Sequence, residues 1–128
     1  MEGAAVPSRD SRLREILDQI REEYKFRSVL LTDSRGLTIS CSGDVKHAGI
    51  AAIAPEVIRI GEHAVRLGEY ASINCVALVL ENSHLMIIRE VKIKQSKFIV
   101  AVDTERVPPG LRRIMAELAK RIAKTLES

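Results

Sequence analysis

Apolar residues recur along this chain with two periods, one helical and one alternating, and the switches between them divide it into eight elements. Leu13, Ile16, Leu17 and Ile20, with Tyr24 continuing the row, follow the three-four spacing of a helix with one buried stripe. That helix is predicted from Asp10 or Ser11 to Tyr24, with Ser8, Asp10 and Ser11 as candidate N-caps. Two runs rich in Val, Leu, Ile and Thr follow, over residues 28–32 and 37–41. Asp33-Ser34-Arg35-Gly36 between them has turn composition, with Asp and Ser at its start and Gly able to take a positive φ. A β-hairpin is predicted, and turn chemistry accounts for Asp33 without a catalytic or metal-binding role.

The stretch 47–80 has a different character. A helix-patterned run to about Glu69 is apolar on most of its circumference, through Ile50, Ile53, Val57, Ile58, Ile60, Val65 and Leu67. Ser42-Gly43-Asp44 closes the hairpin before it and can cap it. Such a helix is expected to be buried on more than one side. Its remaining polar residues, Glu56, Arg59, Glu62, His63 and Arg66, read as one narrow exposed strip. Ala54, Gly61 and Gly68 stand seven apart, close to two turns, so they line one stripe where another backbone can come close. Glycine inside a helix costs about 1 kcal/mol relative to alanine, which implies a packing reason for keeping it. Pro55 lacks the donor for Ala51 and predicts either a kink near 51–55 or a helix that restarts with Pro55 in its first turn. A strand, apolar on both faces, is predicted from residue 72 or 73 to residue 80.

After a tight turn at Glu81-Asn82-Ser83-His84, strands are predicted over 85–94 and 97–103, joined at Gln95-Ser96. Together these strands make an antiparallel meander. Arg89, Lys92, Lys94 and Lys97 gather around its second turn and read as a charged hairpin tip. A loop over 104–110 carries Pro108-Pro109 and leads to a helix over 109–126, striped with Leu111, Ile114, Met115, Leu118, Ile122 and Leu126. The meander needs a cover, so core packing is the expected use of that stripe. The order α-β-β-α-β-β-β-α with five antiparallel strands predicts an α+β, three-layer α/β/α sandwich. One domain over 10–128 includes the last helix, and residues 1–9 are expected to be a flexible tail.

Composition removes several functions. The 128 residues carry a formal net charge of +3 with both signs interspersed, which does not call for nucleic acid. The aromatic residues Tyr24, Phe26, Tyr70 and Phe98 are too few for a base-stacking platform. Cys41 and Cys75 form no CxxC, and His47, His63 and His84 show no ligand spacing, so no metal and no cofactor are expected. The cysteine usage suggests a reduced, cytoplasmic setting. The first nine residues lack the apolar region of a signal peptide, and no apolar run reaches the about 18–20 residues of a membrane span, so no membrane insertion is expected. Neither GxxxxGK[ST] nor GxGxxG occurs. Cys75 lies in an apolar strand, where burial raises the thiol pKa, so it reads as a small hydrophobe and not a nucleophile. A non-enzymatic binding protein remains, with the 47–80 helix and strand as an interface between two copies. The alternative is a basic-surface module for nucleic acid or anionic membrane, using the 112–124 face and the 89–97 hairpin.

From about residue 13 to 126 the chain resembles the roadblock/dynein light-chain family. The resemblance is carried by VLLTDSRGLTIS at 29–40, by the Ala- and Gly-containing helix with its apolar strand, and by the element order. The C-terminal helix is similar to that of prokaryotic members, including the MglB-type regulators of small Ras-like GTPases. The resemblance implies a homodimer, with third strands paired antiparallel into one continuous sheet and second helices side by side. On this chain the implied interface is Ala54, Val57, Gly61, Ala64 and Gly68 with Ile73, Cys75, Val76, Ala77, Leu78, Val79 and Leu80. It also implies a partner GTPase on the plateau of the paired helices, at Glu56, Arg59, Glu62, His63 and Arg66. Pro55 and the TERVPPG segment at 104–110 depart from the family pattern.

Overall fold

The computed structural model describes residues 8–44 and 47–127, with backbone alone at residues 47 and 48. The flexible tail expected over 1–9 therefore lies almost wholly outside the described residues, as does the junction where 42–44 was expected to cap the next helix. The elements run α1 (Arg9–Tyr24), β1 (Ser28–Asp33), β2 (Thr38–Gly43), α2 (His47–Leu67), β3 (Val76–Val79), β4 (Leu85–Ile93), β5 (Ser96–Thr104) and α3 (Leu111–Glu127). Ser8 caps α1 by accepting the Ser11 N–H, and Lys25, in the left-handed region, ends it.

The strands form one antiparallel sheet in the order β2-β1-β5-β4-β3. Successive side chains alternate between its faces, and the apolar sets follow that alternation. Val29, Leu31, Ile87 and Val100 meet Leu17 of α1 and Met115, Leu118 and Ile122 of α3. Leu30, Met86, Ile88, Ile99 and Ala101 meet Ala51, Ala54 and Ile58 of α2 on the opposite face. The result is the three-layer α/β/α arrangement, with β3 at an edge. No helix among the described residues is long and apolar enough to cross a membrane.

The first hairpin turns as the residues predict. The Asp33 carboxylate accepts the Arg35 and Leu37 N–H groups at 2.9 and 3.0 Å. Gly36 sits at φ +92°, and a Cβ there would stand 2.8 Å from the Ala51 carbonyl oxygen of α2. That carbonyl is the one Pro55 leaves without its helical donor. The helix runs unbroken through Pro55, so it does not restart there.

Several element boundaries differ from expectation, those around α2, β3 and α3 for visible reasons. The strand expected from 72 or 73 to 80 is shorter at both ends: Leu80 belongs to the turn, where its N–H donates to the His84 carbonyl, and Asn74 is drawn away from β4 before pairing begins. Its amide donates to the Arg112 carbonyl at 3.3 Å, and its own carbonyl accepts from the Arg89 guanidinium at 3.0 Å. α2 stops at Leu67 and not near Glu69: the Gly68 and Tyr70 N–H groups close onto the Ala64 and Val65 carbonyls while Glu69 takes φ +57°. α3 starts at Leu111 and not Pro109, since Gly110 has a positive φ.

Candidate functional site

α2 has an inner and an outer seven-residue stripe, one position apart. The inner stripe is the small one. Ala54 is fully buried against the sheet. A Cβ on Gly61 would stand 2.5 Å from Ile73 Cδ1 and 2.7 Å from Val76 Cγ2. Gly68 lies past the helix end, where a Cβ would meet the Tyr70 ring at 2.4 Å. Within one protomer the small stripe therefore meets the chain's own residues. The close approach at Gly61 is to the chain's own segment 73–76.

The outer stripe is Ile53, Ile60 and Leu67, exposed at 43%, 66% and 76%. With half-buried Val57 and exposed Ala64 these residues recur at alternating steps of four and three, the spacing of a helix–helix seam. Large apolar side chains left in water in this pattern mark an interaction surface. Among the described residues eight large hydrophobics are exposed, and six of them fall between Ile53 and Leu80. On β3, Ala77 and Val79 point outward, Val79 being 83% exposed, while Val76 and Leu78 are half-buried. Leu80, just beyond the strand, is exposed, and Ile73 and Cys75, just before it, are half-buried.

The polar strip of α2 borders more than one groove. Glu56 and Arg59 form an exposed ion pair on the outer face, and His63 stands beside Ile60, Ala64 and Leu67. Glu62 and Arg66 line a cleft toward β4, and Glu62 also borders the groove that holds Glu56 and Arg59.

No family model matches the chain, and no curated protein matches it. Solved structures do. The gliding protein mglB from Thermus thermophilus superposes with TM-score 0.75 at 16% identity, over 98% of this chain and 96% of that one. An MglB with tetrameric arrangement gives TM-score 0.76 at 16% identity, over 98% and 96%. A Roadblock/LC7 domain from Streptomyces avermitilis gives 0.72 at 19%, over 90% and 98%. This chain has the roadblock fold.

Within that roadblock fold the basic residues that the sequence scatters are brought together. Arg66 from α2, Arg89 and Lys92 from β4, Lys97 from β5 and Lys120 from α3 line one cleft of about 740 Å³. Sequence reading joined the 89–97 hairpin and the last helix only in the alternative of a basic surface for nucleic acid or anionic membrane. Their convergence depends on β4 and α3 packing together, which no local pattern displays. Cys75 lines the same cleft, and burial raises its thiol pKa, with Arg89 opposing. Among the described residues no group of three or more His, Cys, Asp and Glu is placed to hold a metal ion.

A second cluster also escaped the sequence. His84 lies between the Asp103 carboxylate at 3.0 Å and the Arg27 guanidinium at 2.6 Å, and Arg27 also pairs with Glu105 at 2.7 Å. Arg27 holds the Glu105 carboxyl below its usual pKa. The cluster ties the start of β1 to the beginning of β4 and the end of β5, so it reads as a structural fastening at one end of the sheet.

Proposed function

We propose that this roadblock-fold chain is a self-associating, non-catalytic regulator of a small Ras-like GTPase. The observation that carries the reading is the gathering of exposed apolar residues on α2 and β3. Ile53, Val57, Ile60, Ala64 and Leu67 form a seam suited to a second α2, and β3 is a sheet edge with no charge or proline along it. Bare edges of that kind invite pairing with another strand. Two copies joined through both elements cover the seam and the edge together.

Ala54, Gly61 and Gly68 act here only indirectly. They let α2 sit low on its own sheet, which sets the height of the outer seam. Glu56, Arg59 and His63 flank that seam and are the residues offered to the GTPase. Glu62 and Arg66 contribute from the side facing the cleft. Activation of the GTPase follows from ordering its own switch loops, with no residue of this chain entering the chemistry. The fold likeness to MglB supports this reading.

Light scattering on the purified chain is expected to give twice the 14.2 kDa of one protomer. A monomer at micromolar concentration overturns the self-association. The GTPase reading is tested by capturing a candidate small GTPase in its GTP-analogue and GDP forms. Binding that favours the GTP form and weakens in the Arg59→Ala/His63→Ala double variant supports it. Equal capture by the double variant places the docking surface elsewhere.

A further inference from the structure

β4 is nine residues long, and β3 covers four of them, Leu85 to Ile88. Over residues 89–93 the β4 edge that faces away from β5 therefore has no neighbouring strand among the described residues. The chain's own continuation, residues 72–75, would have occupied that position, but Asn74 is held away by Arg112 and Arg89. A strand-shaped slot about 17 Å long remains, at about 3.4 Å per residue.

The slot is walled on both faces. Ile58 and Val65 of α2 lie on one side, and Ala116, Ala119 and Ala123 of α3 on the other. The α3 wall is built of small residues, which leaves depth for larger incoming side chains. Five cations and two carboxylates line the cleft, an excess of three positive charges. The formal net charge of the whole chain is also +3, so the rest of the molecule is balanced and its excess charge is concentrated here. One of the carboxylates, Glu90, is already within 3.7 Å of Lys92.

Two buried polar atoms in the slot have no hydrogen-bond partner among the described residues, Arg89 Nε and Asn74 Oδ1. One is a donor and the other an acceptor. A simple inorganic anion offers only acceptors and leaves Asn74 Oδ1 unmet. A peptide backbone offers both an N–H and a C=O. We infer that the cleft receives an extended acidic segment of a partner protein, added as a strand along the open 89–93 edge of β4. Main-chain hydrogen bonds to β4 supply the affinity, apolar side chains enter the Ala116–Ala119–Ala123 wall on one face, and the carboxylates that alternate with them meet Arg66, Lys92 and Lys97 on the other. This site lies apart from the apolar seam of α2, shares Glu62 and Arg66 with the face offered to the GTPase, and does not depend on the GTPase reading.

The test uses the full chain and a short fluorescent peptide alternating glutamate and valine, read by anisotropy. Three controls accompany it: a lysine–valine version, a glutamate–valine version N-methylated at every second residue, and a single-stranded oligonucleotide of equal charge. The glutamate–valine peptide is expected to bind, and the lysine version not. Removing alternate backbone donors by N-methylation should weaken binding at least about tenfold, as should the Lys97→Glu/Lys120→Glu variant. Both of those lysines are exposed, so an unchanged melting temperature shows that the variant keeps its fold. No binding by the glutamate–valine peptide overturns the inference. So does equal binding by the N-methylated peptide, by the lysine version or by the oligonucleotide, because each removes either strand addition or selection for an acidic segment.

Discussion

Asp33 and Gly61 show how much one residue decides here. The Asp33 carboxyl is held below its usual pKa chiefly by the Leu37 N–H, with Arg35 adding to it. A depressed carboxyl stabilises the fold above its unfolded value of about 3.9 and loses that contribution as pH falls through the lower folded value. Asp33→Ala is therefore expected to cost about 1–2 kcal/mol at neutral pH, and the gap to the parent chain should close in acid. Urea unfolding at neutral and acidic pH measures it, and a gap that widens in acid contradicts the assignment. Gly61 is the complementary case, where absence of a side chain matters. Its added Cβ would press on Ile73 and Val76 of the same chain. Gly61→Val should thus lower the stability of the protomer itself, by about 1–3 kcal/mol. Loss of self-association with unchanged unfolding would instead return Gly61 to the surface between copies.

At the scale of elements, α2 shows what the sequence could and could not display. The seven-residue repeat on α2 was legible, but its phase was not. Ile53-Ile60-Leu67 and Ala54-Gly61-Gly68 share the spacing, and one step turns the helix by about 100°. Which stripe faces inward is decided by the sheet beneath, where small residues let α2 settle and large ones cannot fit. The outer stripe makes a sharp prediction. Ile60 is 66% exposed, so Ile60→Glu should leave unfolding within about 0.5 kcal/mol while reducing self-association by at least about tenfold. Sedimentation across a concentration series reads it, and unchanged association removes the seam. The hairpin, the meander and all three helices were legible because each is written in local period and turn chemistry. The start of β3 was not, because Asn74 is held by Arg112 and Arg89, residues 38 and 15 positions away. The cleft was hidden for the same reason, since its cations come from four elements and adjoin only once the sheet is assembled.

Across the whole molecule, apolar exposure and net charge occupy different places. The exposed apolar side chains concentrate on α2 and β3, while the excess positive charge lies in the cleft over the second half of β4. The two kinds of attraction answer to salt in opposite ways. Raising ionic strength from about 0.1 M to about 1 M shortens the screening length from about 10 Å to about 3 Å, which weakens contacts between exposed charges. Burial of apolar surface does not depend on those charges, and salting-out ions strengthen it. Self-association through Ile53, Ile60 and Leu67 should therefore survive that change, with a dissociation constant unchanged or lower. The ion pair Glu56–Arg59 lies beside the seam and is itself exposed, so it adds little to that constant. Dissociation into monomers as sodium chloride rises would mean that charged residues join the copies. The outer face of α2 would then be free for another partner. Light scattering of the parent chain at both ionic strengths separates the two cases without any substitution.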